Sequence, residues 1–472
     1  MPAPREDRQL ALRIGAAVAL FLLLVGQAQV TVLDGTSMLA VAQSIVHHGS
    51  LSVPPALGVA GDVGLYYSKY GLLLPLLSVV PVTLVQPIGL VTGRVDLLEA
   101  AAAASLMPLV TGALAAALFV LGRRLGAPRP AAALVAVGTV LGTYLLPYGR
   151  DFFTEPLVAL GLVVMVERAL AGRELQAGAA LAFAILARPQ SAVFVPLLWA
   201  FLALNAPDGV RTPQARVAAA RAIARTLPPL AIAAVVTVAY NLARFGDPFE
   251  FGYKPPADPG FTTPLLEGTR GLLLSPEKSL LLFAPALVLA PIALVALQRR
   301  RRVLAAFLVA LFAASFVLAA TWHSWMGGWS WGPRLVIPGV VVLLVAIGPW
   351  IGDNAGRMRT AGALFALGFV LSLAAVIAPA GAQLLDRDPG ADGPKIVRQV
   401  RELPQLTRNS LNAAGDRAAR DDDYRRYLAI WQAGIVRQVG AVGFPLAILG
   451  TVLLLAALWA VARPLPARLR GG

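Results

Sequence analysis

Long uncharged apolar runs alternate with short Arg-rich segments along most of the chain. Leu280–Leu297 and Leu335–Trp350 are clear examples. A run of about 18 or more apolar residues is long enough to cross a bilayer as a helix. With Gly, Pro and charge as punctuation, the pattern predicts spans at 14–33, 98–122, 130–148, 156–171, 175–187, 190–205, 228–243, 279–297, 303–321, 335–351, 360–380 and 438–462. The stretch 70–92 is apolar as well, but Pro75, Pro81 and Pro87 recur through it. Proline removes helix donors, so the stretch reads as a broken, interfacial element.

The charge pattern supports that omission. With 70–92 kept on one face, the segments around Arg5/Arg8/Arg13, Arg123/Arg124/Arg129, Arg168/Arg173, Arg211–Arg225, Arg299–Arg302, Arg357/Arg359 and Arg463–Arg470 all fall on the same side. The positive-inside bias then places both termini in the cytoplasm, with about twelve helices. The first apolar run is long and lacks a convincing cleavage site, so it reads as an anchor and not as a removable signal. The expected fold is all-α and polytopic, with interfacial helices in the first outer loop. Residues 1–380 form a transmembrane module with outer loops at 34–97, 149–155, 244–278 and 322–334. Residues 381–437 form a partly helical outer segment, and 438–472 the last helix and a cytoplasmic tail.

Composition narrows the class. Of 472 residues, 58% are hydrophobic and only 14% charged, against about a quarter charged in soluble domains. A net charge of +15 would suit nucleic acid, but basic cytoplasmic loops account for it and no nucleic-acid partner is expected. The chain has no Cys and three His, which excludes disulfides, thiol nucleophiles and thiolate metal sites. The abundance of Arg over Lys, with many Ala and Gly, matches a high-GC bacterial genome and places the chain in a bacterial plasma membrane.

Most acids and aromatic clusters fall on the outer side. Asp34 follows the first span and opens a stretch with apolar residues at 38, 39, 42, 45 and 46, closed by Gly49: a short amphipathic helix. The plain reading of Asp34 is a helix-start carboxylate favoured by the dipole; the sharper one is a base at the membrane boundary. Tyr66-Tyr67-Ser68-Lys69-Tyr70-Gly71 follows. Lys69 and the tyrosines either form an interfacial belt or meet an anionic lipid head group. Arg150, Asp151 and Glu155 sit together at the edge of a span, where they form a local ion pair or, with Asp34, an acidic cluster able to act as bases or bind a divalent cation.

Arg188, between two short apolar runs, is costly inside hydrocarbon, and phosphate is its natural partner; the alternative is a surface turn. Tyr253 and Lys278 lie in the loop 244–278, where Gly-Asp-Pro signals a turn. Trp322, His323, Trp325, Trp329, Trp331 and Arg334 crowd one short loop holding four of the eight Trp. An aromatic belt explains one or two of these; four around Gly-Gly and Gly-Pro-Arg suggest a pocket for a sugar ring.

At these residues the chain resembles the GT-C superfamily of polytopic glycosyltransferases, which includes the protein O-mannosyltransferases (glycosyltransferase family 39) and the lipid A aminoarabinose transferases. The resemblance covers most of residues 10–350. It rests on the order and sidedness of Asp34 to Gly49, Tyr-Ser-Lys-Tyr-Gly before a Pro-rich element, Arg-Asp-x-x-x-Glu at 150–155, Arg-Phe-Gly-Asp-Pro-Phe-Glu-Phe-Gly-Tyr, Ser-Pro-Glu-Lys-Ser and Trp-x-Gly-Gly-Trp-Ser-Trp-Gly-Pro-Arg. It implies an inverting transfer on the outer face from a polyprenyl-phosphate sugar, with Asp34 as the base. Family members often carry Asp-Glu where this chain has Asp34-Gly35. Any role of the second carboxylate would therefore fall to Asp151 or Glu155, and metal dependence stays open.

Independently of the resemblance, no phosphate-binding Gly-rich loop is present, and a lipid-linked phosphate donor needs none. The residues expected to bind substrate are Lys69, Tyr70, Arg150, Arg188, Tyr253, Lys278, Trp322, His323, Trp325 and Arg334. The expected acceptor is an extracytoplasmic glycan, lipid or protein. A transporter or lipid flippase is the rival reading; it would place charges mid-span and show repeat symmetry. A non-catalytic scaffold would leave the Trp-rich loop without a purpose.

Overall fold

A charged helix start folds into the bundle instead of lying outside it. The first helix, α1 (Arg5–Leu24), begins nine residues before the expected span at 14–33 and ends earlier. Asp7 is the reason: it is 2% exposed, and its carboxylate accepts from Arg129 Nε at 2.6 Å and Arg123 Nε at 2.9 Å. The structure, a computed structural model, describes residues 5–27, 29–205, 210–328, 330–378, 395–412, 430–439 and 443–462.

After α1 come α2 (Leu33–His48), the paired strands β1 (Val59–Ala60) and β2 (Tyr66–Tyr67), then α3 (Leu73–Thr92), α4 (Val95–Ala104) and α5 (Leu106–Arg124). The predicted amphipathic helix after the first span is α2, ended by Gly49 at φ 60°, a left-handed cap that glycine adopts without strain. The prolines of 70–92 do not break that segment, contrary to expectation: α3 runs unbroken through Pro81 and Pro87. Pro75 falls in its first turn, where the amide has no intrahelical acceptor to lose, and each later proline removes one bond from an otherwise complete ladder.

α5 returns antiparallel along α1. A Cβ at Gly112 would lie 2.4 Å from the Gly15 carbonyl oxygen, and one at Gly15 2.7 Å from that of Gly112, so the crossing needs hydrogen at both positions.

The chain continues through α6 (Arg129–Leu141), α7 (Leu145–Tyr148), α8 (Glu155–Leu170), α9 (Glu174–Ala187), α10 (Phe194–Leu204), α11 (Pro213–Phe245) and α12 (Leu265–Leu274). Then follow α13 (Leu280–Phe283), α14 (Ala290–Gln298), α15 (Arg302–Thr321), α16 (Ile337–Leu344), α17 (Ile347–Ile351) and α18 (Ala355–Ile377). Of the expected outer segment, α19 (Lys395–Asn412) and α20 (Trp431–Val439) are described, and the rest of 381–437 apart from Ile430 lies outside the described residues. The last helix, α21 (Gly443–Ala462), meets α1 where Arg13 donates to the Val461 carbonyl at 2.6 Å, and α20 meets the end of α1 where Trp431 Nε1 donates to the Leu24 carbonyl at 3.1 Å.

The protein is an all-α, multi-pass membrane protein. Among the described residues six helices are long and apolar enough to cross a bilayer: Leu73–Thr92, Val95–Arg124, Pro213–Phe245, Arg302–Thr321, Ala355–Ile377 and Gly443–Val461. Shorter apolar helices fill out the bundle, among them Glu174–Ala187 and Pro189–Leu204. The apolar runs 279–297 and 335–351 are interrupted, at Ala284-Pro285 and at Val345-Ala346. The bundle has two polar ends, and α8 touches both. Its first residue, Glu155, meets Arg188, whereas Glu167 pairs with Arg124 at 2.8 Å. At 1.5 Å per residue the two acids stand about 18 Å apart.

Candidate active site

Asp34 stands in the first turn of α2. A Cβ at neighbouring Gly35 would approach the Phe152 carbonyl oxygen to 3.0 Å, so α2 starts hard against the 149–155 segment. Tyr70 Oη donates to Asp34 Oδ1 at 2.7 Å, and Arg334 Nη2 lies 2.9 Å from Oδ2. Burial alone would raise the Asp34 pKa. The Arg334 charge, the Tyr70 hydroxyl bond and the more distant Arg188 outweigh it, and the carboxyl is held below its ordinary value.

The polar chain continues inward. Arg334 Nε is 3.9 Å from Glu155 Oε1, and Arg188 Nη2 is 2.9 Å from the same oxygen. Arg188 Nε donates to Thr154 Oγ1 at 2.8 Å. The guanidinium of Arg334 also lies 5.0 Å from the centre of the Phe153 ring. Acid and guanidinium thus alternate through Asp34, Arg334, Glu155 and Arg188. Glu155 is fully buried, yet neither oxygen has an aligned hydrogen bond among the described residues, and Arg334 Nε has none either. The 2.9 Å approach of Arg188 is accordingly a charge contact without hydrogen-bond alignment. Buried carboxylate oxygens without an aligned hydrogen bond are unusual. Among the described residues no group of three or more His, Asp or Glu is arranged to hold a metal ion, and each site carboxylate already faces a guanidinium, a donor set that does not fit a divalent cation.

A second cluster adjoins the first through the chain itself. Lys69, next to Tyr70, places Nζ 2.5 Å from Asp258 Oδ2 and 5.1 Å from the centre of the Tyr253 ring. His323 Nε2 is 3.4 Å from Asp258 Oδ1. Trp322 meets Tyr253 edge to face at 5.3 Å and Phe261 at 5.0 Å. Lys69, Tyr253, Trp322 and His323 therefore share one wall, on the side of Tyr70.

Other sequence-selected residues point elsewhere. Arg150 is 1% exposed and donates to the carbonyls of Val25 at 2.9 Å and Ala375 at 3.3 Å. Asp151 accepts from Gln27 Nε2 at 2.6 Å, and burial lifts its pKa to about 6 against the pull of Arg150. The expected cluster of Asp34, Asp151 and Glu155 does not form, because the two halves of the 149–155 segment face different ways: Arg150 and Asp151 meet Val25 and Gln27 at the end of α1, whereas Thr154 and Glu155 meet Arg188. Lys278, 3% exposed, donates to the carbonyls of Ser330 at 2.6 Å, Gly332 at 3.2 Å and Gly328 at 3.3 Å, inside the Trp-rich loop and not in an open cavity. Trp325 packs over Gly271 of α12, and Trp331, 3% exposed, meets Phe283 edge to face at 4.9 Å. Trp329 lies outside the described residues. Part of the Trp cluster is thus core.

Three contributions escaped the sequence reading. Thr154 orients Arg188. Asp258 sits in Lys-Pro-Pro-Ala-Asp-Pro-Gly, which reads as plain loop. Arg244 donates to Asn241 Oδ1 at 2.7 Å and to the Ser68 carbonyl, tying the end of α11 to the residue before Lys69. The i, i+3 spacing of Asn241 and Arg244 at a helix end was a usable signal.

No family model and no curated relative matches the sequence. The fold does match solved structures. ArnT from Cupriavidus metallidurans bound to undecaprenyl phosphate superimposes with a TM-score of 0.52 at 14% identity, over 95% of this chain and 76% of that one. The same protein in the apo state gives 0.53 at 13% identity, over 96% and 76%. The chain thus has the fold of the GT-C membrane glycosyltransferases, the group to which ArnT belongs.

Proposed function

We propose that the protein transfers a sugar from a polyprenyl-phosphate donor to an extracytoplasmic acceptor (an envelope glycan, lipid or protein) with inversion at the anomeric carbon. The observation that carries this reading is the setting of Asp34: a carboxylate between the Tyr70 hydroxyl and the Arg334 guanidinium, with Lys69 next to Tyr70 in the chain. The ArnT structure with bound undecaprenyl phosphate supports the donor class.

In this reading Asp34 is ionised at neutral pH and orients the acceptor hydroxyl. That oxygen attacks the anomeric carbon as the bond to the donor phosphate breaks on the opposite face. The acceptor proton passes to Asp34, and the leaving polyprenyl phosphate carries the negative charge, which Lys69, Arg188 and Arg334 are placed to stabilise. Glu155 holds Arg188 and Arg334 in register and offers its free lone pairs to sugar hydroxyls. Trp322 and Tyr253 supply flat faces for the ring. Lys69 and Tyr70 bind donor and base respectively.

The same proposal assigns sidedness. The end of the bundle with Asp7, Arg123, Arg129, Arg124 and Arg225 is Arg-rich, and the positive-inside bias puts it in the cytoplasm together with both termini. The Asp34 end then faces outward. α3 starts next to the site, and α4–α5 start on the same side before descending along α1, so α3 rests at the interface instead of crossing, which leaves about twelve spans.

The test is transfer of radiolabel from polyprenyl-phosphate sugars to a bacterial envelope fraction by purified protein, wild type against Asp34→Asn. Transfer that depends on Asp34 is expected. No transfer from any such donor would end the reading.

A further inference from the structure

One of the cations assigned to the donor phosphate, Lys69, is already paired with a carboxylate from a loop. Asp258 lies in the 247–264 connection between α11 and α12, which has no regular helix or strand. Its ends are anchored: Asn241 Nδ2 donates to the Pro248 carbonyl at 2.9 Å, and the His323 amide to that of Gly260 at 2.8 Å. Between these anchors Gly252 and Gly260 both adopt φ 81°, a conformation open to glycine and strained for other residues. Asp258 itself is held by its amide bond to the Lys254 carbonyl at 3.0 Å and by the side-chain contacts to Lys69 at 2.5 Å and His323 at 3.4 Å. The Lys69 and Asp258 side chains are 25% and 17% exposed, so the pair lies within reach of an incoming anion.

A carboxylate that bridges a lysine and a histidine occupies the place, and supplies the charge, that a phosphate monoester would bring. We propose that Asp258 is a built-in, exchangeable counter-ion: it fills the Lys69–His323 anion site in the empty enzyme and is displaced when the phosphate of a polyprenyl-phosphate lipid binds. Its carboxylate thereby sets how tightly the site holds donor and spent carrier lipid, and keeps Lys69 from capturing other anionic head groups. The inference rests on the proposed donor class and adds to it a residue that competes with the donor instead of binding it. A ligand has to displace the pair before using the cation, so affinity rises when the internal competitor is removed.

The experiment is a titration of undecaprenyl phosphate into purified protein in nanodiscs, for wild type, Asp258→Asn, Asp258→Glu, Lys69→Met and the Lys69→Met/Asp258→Asn double variant. Asp258→Asn should bind roughly fivefold tighter than wild type, and Asp258→Glu, which keeps the charge, should stay near wild type. In the Lys69→Met background the Asp258→Asn gain should vanish, since the two side chains act on one another. Inorganic phosphate titrated in parallel separates head-group affinity from chain affinity, and the Asp258→Asn ratio decides in either case. If wild type binds and Asp258→Asn binds equally or more weakly, Asp258 is a structural tie and the inference fails alone. If no variant binds undecaprenyl phosphate, the proposed function fails and takes the inference with it.

Discussion

Arg334 Nη2 lies 2.9 Å from Asp34 Oδ2, joining the loop before α16 to the first turn of α2. One guanidinium therefore fixes the orientation of the carboxylate and keeps it ionised, and its Nε faces Glu155 at 3.9 Å. The coupling makes the site a charge-balanced unit, whose members fail in different ways when removed.

Asp34→Asn keeps a group able to accept from Tyr70 and removes the proposed base. Transfer should fall by on the order of 10²–10⁴-fold, while donor binding, measured separately, stays within a few fold. A variant that retains most of its turnover would exclude Asp34 as the proton acceptor.

Glu155→Gln leaves Arg188 and Arg334 facing a neutral amide in a buried setting. Removing one member of a buried ion-pair network destabilises by about 3 kcal/mol, so the thermal midpoint in detergent should drop clearly. An unchanged midpoint would mean that water already screens these charges.

Asp34 and Asp151 give opposite pH signatures. Asp34 has its pKa held below 3.8 in the folded protein, so its stabilising interaction is present above that value and lost only as pH falls through the folded pKa. Activity limited by Asp34 ionisation should show no acidic limb between pH 5 and 8. Asp151 is raised from 3.8 to about 6. The folded state then binds the proton more tightly than the unfolded one, and stability falls as pH rises from about 4 through 6. Asp151→Asn, which keeps an acceptor for Gln27, should raise the unfolding midpoint more at pH 8 than at pH 5. Equal effects at both would contradict a raised Asp151.

Lys278→Met removes the cation that gathers the carbonyls of Gly328, Ser330 and Gly332. Hydrogen bonds to a charged group are worth about 1.5–3 kcal/mol each. The 322–334 loop should exchange amide hydrogens faster, and turnover should fall through misplacement of Arg334. Restoration by Lys278→Arg would point to the charge.

Gly112→Ala places a methyl 2.4 Å from the Gly15 carbonyl oxygen. Backbone cannot yield as a flexible side chain can, and overpacking of this kind costs about 1–3 kcal/mol. A lower unfolding midpoint and reduced yield are expected, with Gly122→Ala, whose nearest neighbour is the Ala132 methyl at 3.3 Å, a milder control.

The division between what could be read early and what could not follows from the range of the forces involved. Apolar runs, Arg-rich segments, the α2 helix with its Gly49 stop and the break at Arg188 are local properties of neighbouring residues, and hydropathy, charge and capping rules reach them directly. Proline counting misjudged α3, since an apolar helix can lose two internal bonds and stay whole. The acidic cluster failed for a related reason: proximity in sequence says nothing about direction, and the 149–155 segment sends Asp151 to Gln27 but Glu155 to Arg188. The same limit hid Asp258, whose loop composition gave no hint of Lys69 on the far side.

Sequence by itself determined that the chain enters a membrane, where its apolar stretches lie, and which polar residues crowd one end; helix ends such as those of α1 and α11 fell nine and fifteen residues outside the expected spans. Tertiary structure alone decided which of those residues meet. Asp34, Arg334, Glu155 and Arg188 come from four separate segments, and a charge pairs with whichever partner packing brings within a few ångströms.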